Sequence, residues 1–170
     1  GRIITTTVLA SPGQVELHLS TRADHDRGAT KVLDEATYEL ATVLDEHLVS
    51  SDGAQLEAVV GRLLTDYGCR VAVAESCTGG LTTSRLTDVP GSSAYVHSGW
   101  VVYSNEAKID LLGVDEQVIA AYGAVSEEVA SAMAKQACRH SRVDYGLGIT
   151  GIAGPIGGSE QKPVGSVCIG

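Results

Sequence analysis

Apolar positions along this chain follow two different spacings. In residues 14–20 they alternate, with Val15, Leu17 and Leu19 between Glu16, His18 and Ser20, the period of a half-buried strand. An apolar run over residues 3–10 can pair with it through Ser11-Pro12-Gly13, a good turn sequence. Residues 29–48 then read as a helix with Val32, Leu33, Ala36, Leu40, Val43 and Leu44 on one broad face. Ser50-Ser51-Asp52-Gly53 breaks the pattern and reads as a linker. Beyond it, Leu56, Val59, Val60, Leu63, Leu64 and Tyr67 follow helical spacing, and Gly68 is placed to stop the helix.

From there strands and helices alternate. Residues 70–74 are a short apolar run and predict a buried strand, followed by a polar turn and a helix over 80–87. Residues 95–103 and 143–149 predict two more strands, and 164–170 begin a fourth. Between them lie helices over about 106–112 and 116–122, and one capped by Ser126 with Glu127 and Glu128 in its first turn. Ser104 or Asn105 caps the first of these. This alternation predicts an α/β layered domain over residues 55–170, with helices against a sheet. Residues 1–49, two strands and a helix, are a small α+β fragment with too little core to stand alone, and 50–54 link the two.

Composition narrows the function. The formal charge is −9, from 21 acidic and 12 basic residues, which argues against a general grip on nucleic-acid phosphates. No apolar run is long enough to span a membrane, and no secretory h-region is visible at the start. Cys69, Cys77, Cys138 and Cys168 are widely spaced with no C-x-x-C pair. This argues against a disulfide framework or a structural zinc site and points to a reducing cytoplasm.

Three clusters carry candidate chemistry, each where a strand gives way to a turn. The first is Ala74-Glu75-Ser76-Cys77-Thr78-Gly79-Gly80, which puts a hydroxyl, a thiol and backbone N–H groups at one point. Ser76 alone reads as a helix cap, and Cys77 as a small buried thiol. The second is Tyr103-Ser104-Asn105-Glu106-Ala107-Lys108. There a solvated lysine is the ordinary reading, and a buried Lys108 with a depressed pKa, able to take a proton from a serine, is the functional one. The third is Thr150-Gly151-Ile152-Ala153-Gly154-Pro155, a glycine-rich loop that fits neither a P-loop nor a dinucleotide fingerprint. Each signal alone is modest, but the carboxyl ends of strands in an open α/β sheet are where ligands bind.

These segments, with Pro90-Gly91-Ser92-Ser93, Gly123-Ala124-Val125-Ser126 and Lys162-Pro163-Val164-Gly165, occur in an order that closely resembles the carboxy-terminal domain of the CinA family, the nicotinamide-nucleotide amidohydrolases. The resemblance runs from about residue 55 to residue 170. It implies a three-layer α/β/α domain that tends to form homo-oligomers. It also implies hydrolysis of the carboxamide of nicotinamide mononucleotide to nicotinic acid mononucleotide and ammonia, without metal or cofactor. On this resemblance Ser76, Tyr103, Lys108 and Thr150 are catalytic. Glu75, Cys77, Thr78, Gly79, Gly80, Ser92, Ser93, Asn105, Gly151, Ala153 and Gly154 bind substrate. Residues 1–49 resemble the end of the KH-type domain of longer CinA proteins, and the family pattern implies a further strand and helix beyond Gly170. The loop differs from the family at Ile156. The rival expectation is a catalytically inactive pyridine-nucleotide sensor or an interaction module linked to DNA uptake.

Overall fold

The computed structural model describes residues 3–11, 13–22 and 28–170, so Pro12 of the expected turn lies outside the described residues. The chain forms two compact units, Gly1–Val59 and Val60–Gly170.

In the first unit, β1 (Ile4–Ser11) pairs antiparallel with β2 (Gln14–Thr21), with Ser11 opposite Gln14 and Ile4 opposite Thr21. Helix α1 (Gly28–Leu44) packs against β2 and tightens into a short 3-10 turn, Asp45–His47, instead of running on to residue 48. The expected half-burial of the alternating strand does not hold for all of its apolar residues. Val15 and Leu17 are exposed and only Leu19 is partly covered. A two-stranded ribbon with one helix against it cannot close a core, and Val15, Leu17, Leu19, Leu33, Leu40 and Leu44 line an open hollow.

The second unit is built on a four-stranded sheet in the order β4-β3-β5-β6. Strands β3 (Val71–Glu75), β4 (Val96–Val101) and β5 (Tyr145–Gly151) are parallel, and β6 (Val167–Ile169) runs antiparallel to β5. Central β3 is buried along its whole length, as a parallel strand covered on both faces must be. Alternation divides its side chains between two cores. Val71 and Val73 pack with Leu86 of α3 (Leu81–Thr87) and with Val60 and Leu64 of α2 (Leu56–Asp66). Ala72 and Ala74 pack on the other face with Leu112, Val114, Ile119, Val129 and Met133. The elements there are α4 (Asn105–Asp110), α5 (Glu116–Tyr122) and α6 (Glu127–Ser141), each entered through a side-chain cap: Ser104, Asp115 and Ser126. The result is the three-layer α/β/α arrangement.

Two glycines set the depth at which α6 sits. A Cβ on Gly146 would lie 2.0 Å from the Ala134 carbonyl oxygen, and one on Gly148 would lie 2.1 Å from that of Ala130. The helix backbone therefore rests directly on β5. Because β4, β3 and β5 are adjacent and parallel, their carboxyl ends form one edge, where the three sequence clusters emerge. No helix among the described residues is long and apolar enough to cross a membrane.

Candidate active site

Ser76 is the first residue past β3, and its N–H donates to the Ile149 carbonyl at 2.9 Å, which holds it level with the end of β5. On the other side, β4 ends at Val101, and the Val102 N–H donates to the Glu75 carbonyl at 2.8 Å. The chain then turns through Tyr103 into α4, where Ser104 accepts from the Ala107 N–H at 3.1 Å. Lys108 follows one helical turn after that cap and points back to the sheet edge. Its Nζ donates to Ser76 Oγ at 3.0 Å, to the Tyr103 carbonyl at 2.8 Å and to the Ser104 carbonyl at 3.4 Å. Ser76 Oγ in turn donates to the Tyr103 carbonyl at 3.3 Å.

Lys108 is 1% exposed and Ser76 is 6% exposed, so the pair is largely withdrawn from water. Burial lowers the Lys108 pKa; Cys77 and Glu106 pull it back only in part. The acceptors it touches are all uncharged oxygens, so among the described residues no ion pair holds the amine in its protonated form. Cys77 behaves in the opposite way: burial raises its thiol pKa, which disfavours the thiolate that a cysteine nucleophile needs. Its Sγ packs over Gly151, where an added Cβ would lie 2.8 Å from it.

Alternation sends Glu75 to the opposite face from Ser76, under α3. Its carboxylate is fully buried and accepts from the N–H groups of Gly80 at 3.1 Å, Thr82 at 3.0 Å and Thr83 at 2.8 Å, and from Thr83 Oγ1 at 2.7 Å. Burial pushes this carboxyl's pKa up, but the threonine hydroxyls and the backbone donors outweigh it and leave the pKa below its ordinary value. Thr78 Oγ1 is buried beside this carboxylate and helps to hold its pKa down. Glu75, expected from the resemblance to bind substrate, is fully buried with its carboxylate turned to α3. The Gly79 N–H is also engaged, by the Ser76 carbonyl at 3.1 Å. Of the turn's N–H groups, those of Cys77 and Thr78 meet no backbone carbonyl among the described residues, and the Cys77 N–H faces its own thiol.

Thr150 is 1% exposed, and its hydroxyl donates to the Ala124 carbonyl at 2.8 Å, bracing the loop before α6 against β5. Beyond Gly151, the Ile152 N–H donates to the Ser166 carbonyl, while Ala153 is exposed and Gly154 partly so. Asn105 is exposed at the start of α4. Ser92 and Ser93 are not part of this cluster. They lie just before β4 in a short 3-10 turn, Ser92–Ala94, and Ser92 Oγ reaches the Thr87 carbonyl at the far end of α3. In a parallel sheet the start of β4 lies beside the start of β3, so the length of the sheet separates both serines from Ser76.

The CinA C-terminal domain family model matches residues 53–170. The chain belongs to the CinA family. It is 48% identical over 98% of its length to a "Putative competence-damage inducible protein" of Moorella thermoacetica, of which it covers 40%. It is 54% identical over 76% of its length to a "CinA-like protein" of Syntrophobacter fumaroxidans, covering 31% of it. The chain thus spans about two fifths or less of the curated relatives it matches. Among solved structures it resembles the competence/damage inducible protein CihA from Agrobacterium tumefaciens, with a TM-score of 0.63 and 47% identity over 65% of this chain and 67% of that one. A CinA superfamily protein from Escherichia coli matches with a TM-score of 0.64 and 33% identity, over 72% and 69% of the two chains.

Several participants in this CinA site carried no clear signal in the sequence. The group of Tyr103 that meets the Ser76–Lys108 pair is its backbone carbonyl; the side chain is 71% exposed. Thr83 meets Glu75 because Gly99 of β4 leaves room: a Cβ there would lie 2.6 Å from Thr83 Oγ1. A glycine inside a predicted strand was the one available hint of such an approach.

Proposed function

We propose that the CinA domain of this chain hydrolyses the carboxamide of nicotinamide mononucleotide, giving nicotinic acid mononucleotide and ammonia. The observation that carries the reading is the 3.0 Å contact between Ser76 Oγ and a buried Lys108 Nζ whose acceptors are all neutral. An unpaired, desolvated amine is a base at moderate pH, and a serine hydroxyl needs one.

In this scheme neutral Lys108 Nζ takes the proton of Ser76 as Oγ adds to the carboxamide carbon. The oxyanion is met by the N–H groups of Cys77 and Thr78, which meet no backbone carbonyl among the described residues. As the tetrahedral intermediate collapses, the C–N bond breaks and the Lys108 ammonium gives its proton to the leaving nitrogen, which departs as ammonia. Water then adds to the acyl-Ser76 ester, with Lys108 taking its proton; the bond from the acyl carbon to Oγ breaks, Lys108 returns the proton to Ser76 Oγ, and the acid product leaves as its carboxylate. In this scheme the Tyr103 phenol, which is exposed, orients the substrate.

The test is ammonia release from nicotinamide mononucleotide, with nicotinamide and NAD as controls. Release from the mononucleotide that disappears in folded Ser76→Ala supports the scheme. Binding of the mononucleotide without any release supports a nucleotide sensor instead.

A further inference from the structure

Both ends of the Ser76 turn are fastened by one side chain that takes no part in the proposed chemistry. Glu75 closes β3, and its two carboxylate oxygens reach across residues 76–79 to four donors, one on Gly80 before α3 and three in the first turn of α3. Thr83 supplies two of those donors and fits only because Gly99 lacks a side chain. A fully desolvated carboxylate is costly to bury unless every oxygen is satisfied. A plain helix cap needs only a serine or threonine hydroxyl at the turn. What the longer reach achieves is to join the strand end to the helix rigidly, with the nucleophile between them.

We infer that Glu75, with Thr83, is a positioning residue: it holds the 76–79 turn so that Ser76 Oγ stays against Lys108 Nζ with the Cys77 and Thr78 N–H groups beside it. The inference rests on the reading of Ser76 as a nucleophile activated by Lys108. It has a second consequence. The first turn of α3 is filled by the protein's own carboxylate, so the substrate phosphate is held elsewhere, and loosening this network lowers kcat and leaves KM for the mononucleotide unchanged.

The experiment measures two rates on the full chain: ammonia release from nicotinamide mononucleotide, and covalent labelling of Ser76 by diisopropyl fluorophosphate, followed by mass spectrometry. Glu75→Gln turns an amide N–H₂ toward backbone donors and slows both rates about a hundredfold, the scale of a reacting group misplaced by ~1 Å. Thr83→Val slows both, and Thr83→Ser, which keeps the hydroxyl, restores them. Leu86→Ala, a cavity on the same face of the sheet, lowers stability without changing either rate per folded molecule. Labelling of Glu75→Gln and Thr83→Val at the parent rate overturns the positioning role, as does a raised KM at unchanged kcat. If the parent labels at Ser76 but releases no ammonia, the substrate assignment fails while the labelling series still decides the role of Glu75. A parent chain that does neither overturns both.

Discussion

Replacing Lys108 by methionine separates the chemical role of this residue from its structural one, because the two predict opposite signs. The side chain keeps an unbranched apolar stem, with sulfur in place of one methylene, and loses the amine. On activity, removing a general base costs about 10²–10⁴-fold, which is about 3–5 kcal/mol of barrier at 1.36 kcal/mol per tenfold. On stability, three contacts to neutral oxygens are lost, and the one at 3.4 Å is weak. Such hydrogen bonds contribute about 1 kcal/mol each, whereas desolvating a cation costs several kcal/mol. The Tyr103 carbonyl keeps its bond from Ser76 Oγ. Lys108→Met is therefore at least as stable as the parent. The pH dependence has a definite sign. A lysine whose folded pKa is depressed penalises the folded state in full below that pKa, and the penalty fades as pH rises toward the ordinary value of 10.5. The stability gain is thus largest at low pH and shrinks as pH rises. Urea unfolding at several pH values reads the stability, and ammonia release reads the activity. A variant destabilised by more than about 2 kcal/mol at neutral pH, the scale of several lost hydrogen bonds, would refute the argument that burial dominates. So would turnover within tenfold of the parent.

Two further perturbations test the frame around the pair. Gly148→Ala places a methyl 2.1 Å from the Ala130 carbonyl oxygen, forces α6 off the sheet, and should lower stability by about 3 kcal/mol or more in chemical denaturation. Thr150→Val leaves the Ala124 carbonyl without its 2.8 Å donor and should cost about 1–3 kcal/mol; Thr150→Ser should recover most of it, measured as thermal midpoints.

The elements of the second unit were legible because their signals are local. Val71–Glu75 reads as a buried strand from its own composition, and Ser104 and Ser126 cap the helices that follow them as their positions suggest. Boundaries drifted where packing intervened. The last strand pairing with β3 begins at Tyr145, not Val143, because Val143 turns into the core beneath α6. The first unit is less legible, since Val15 and Leu17 have the right alternation but no layer above them among the described residues.

By itself, then, the sequence determined the order of strands and helices, the three clusters at strand ends, and the membership of Ser76 and Lys108 in the same domain. These follow from periodicity and capping, which act over a few residues. Only the tertiary structure decided which groups meet. Ser76 and Lys108 are 32 residues apart and touch because β3 and β4 are parallel neighbours. Glu75 and Ser76 are adjacent in sequence yet serve opposite faces of the sheet, one under α3 and one against α4. Ser92 and Ser93 share the polar character of the site but emerge at the other end of it. Strand alternation and strand direction make those assignments, and both are properties of the assembled sheet.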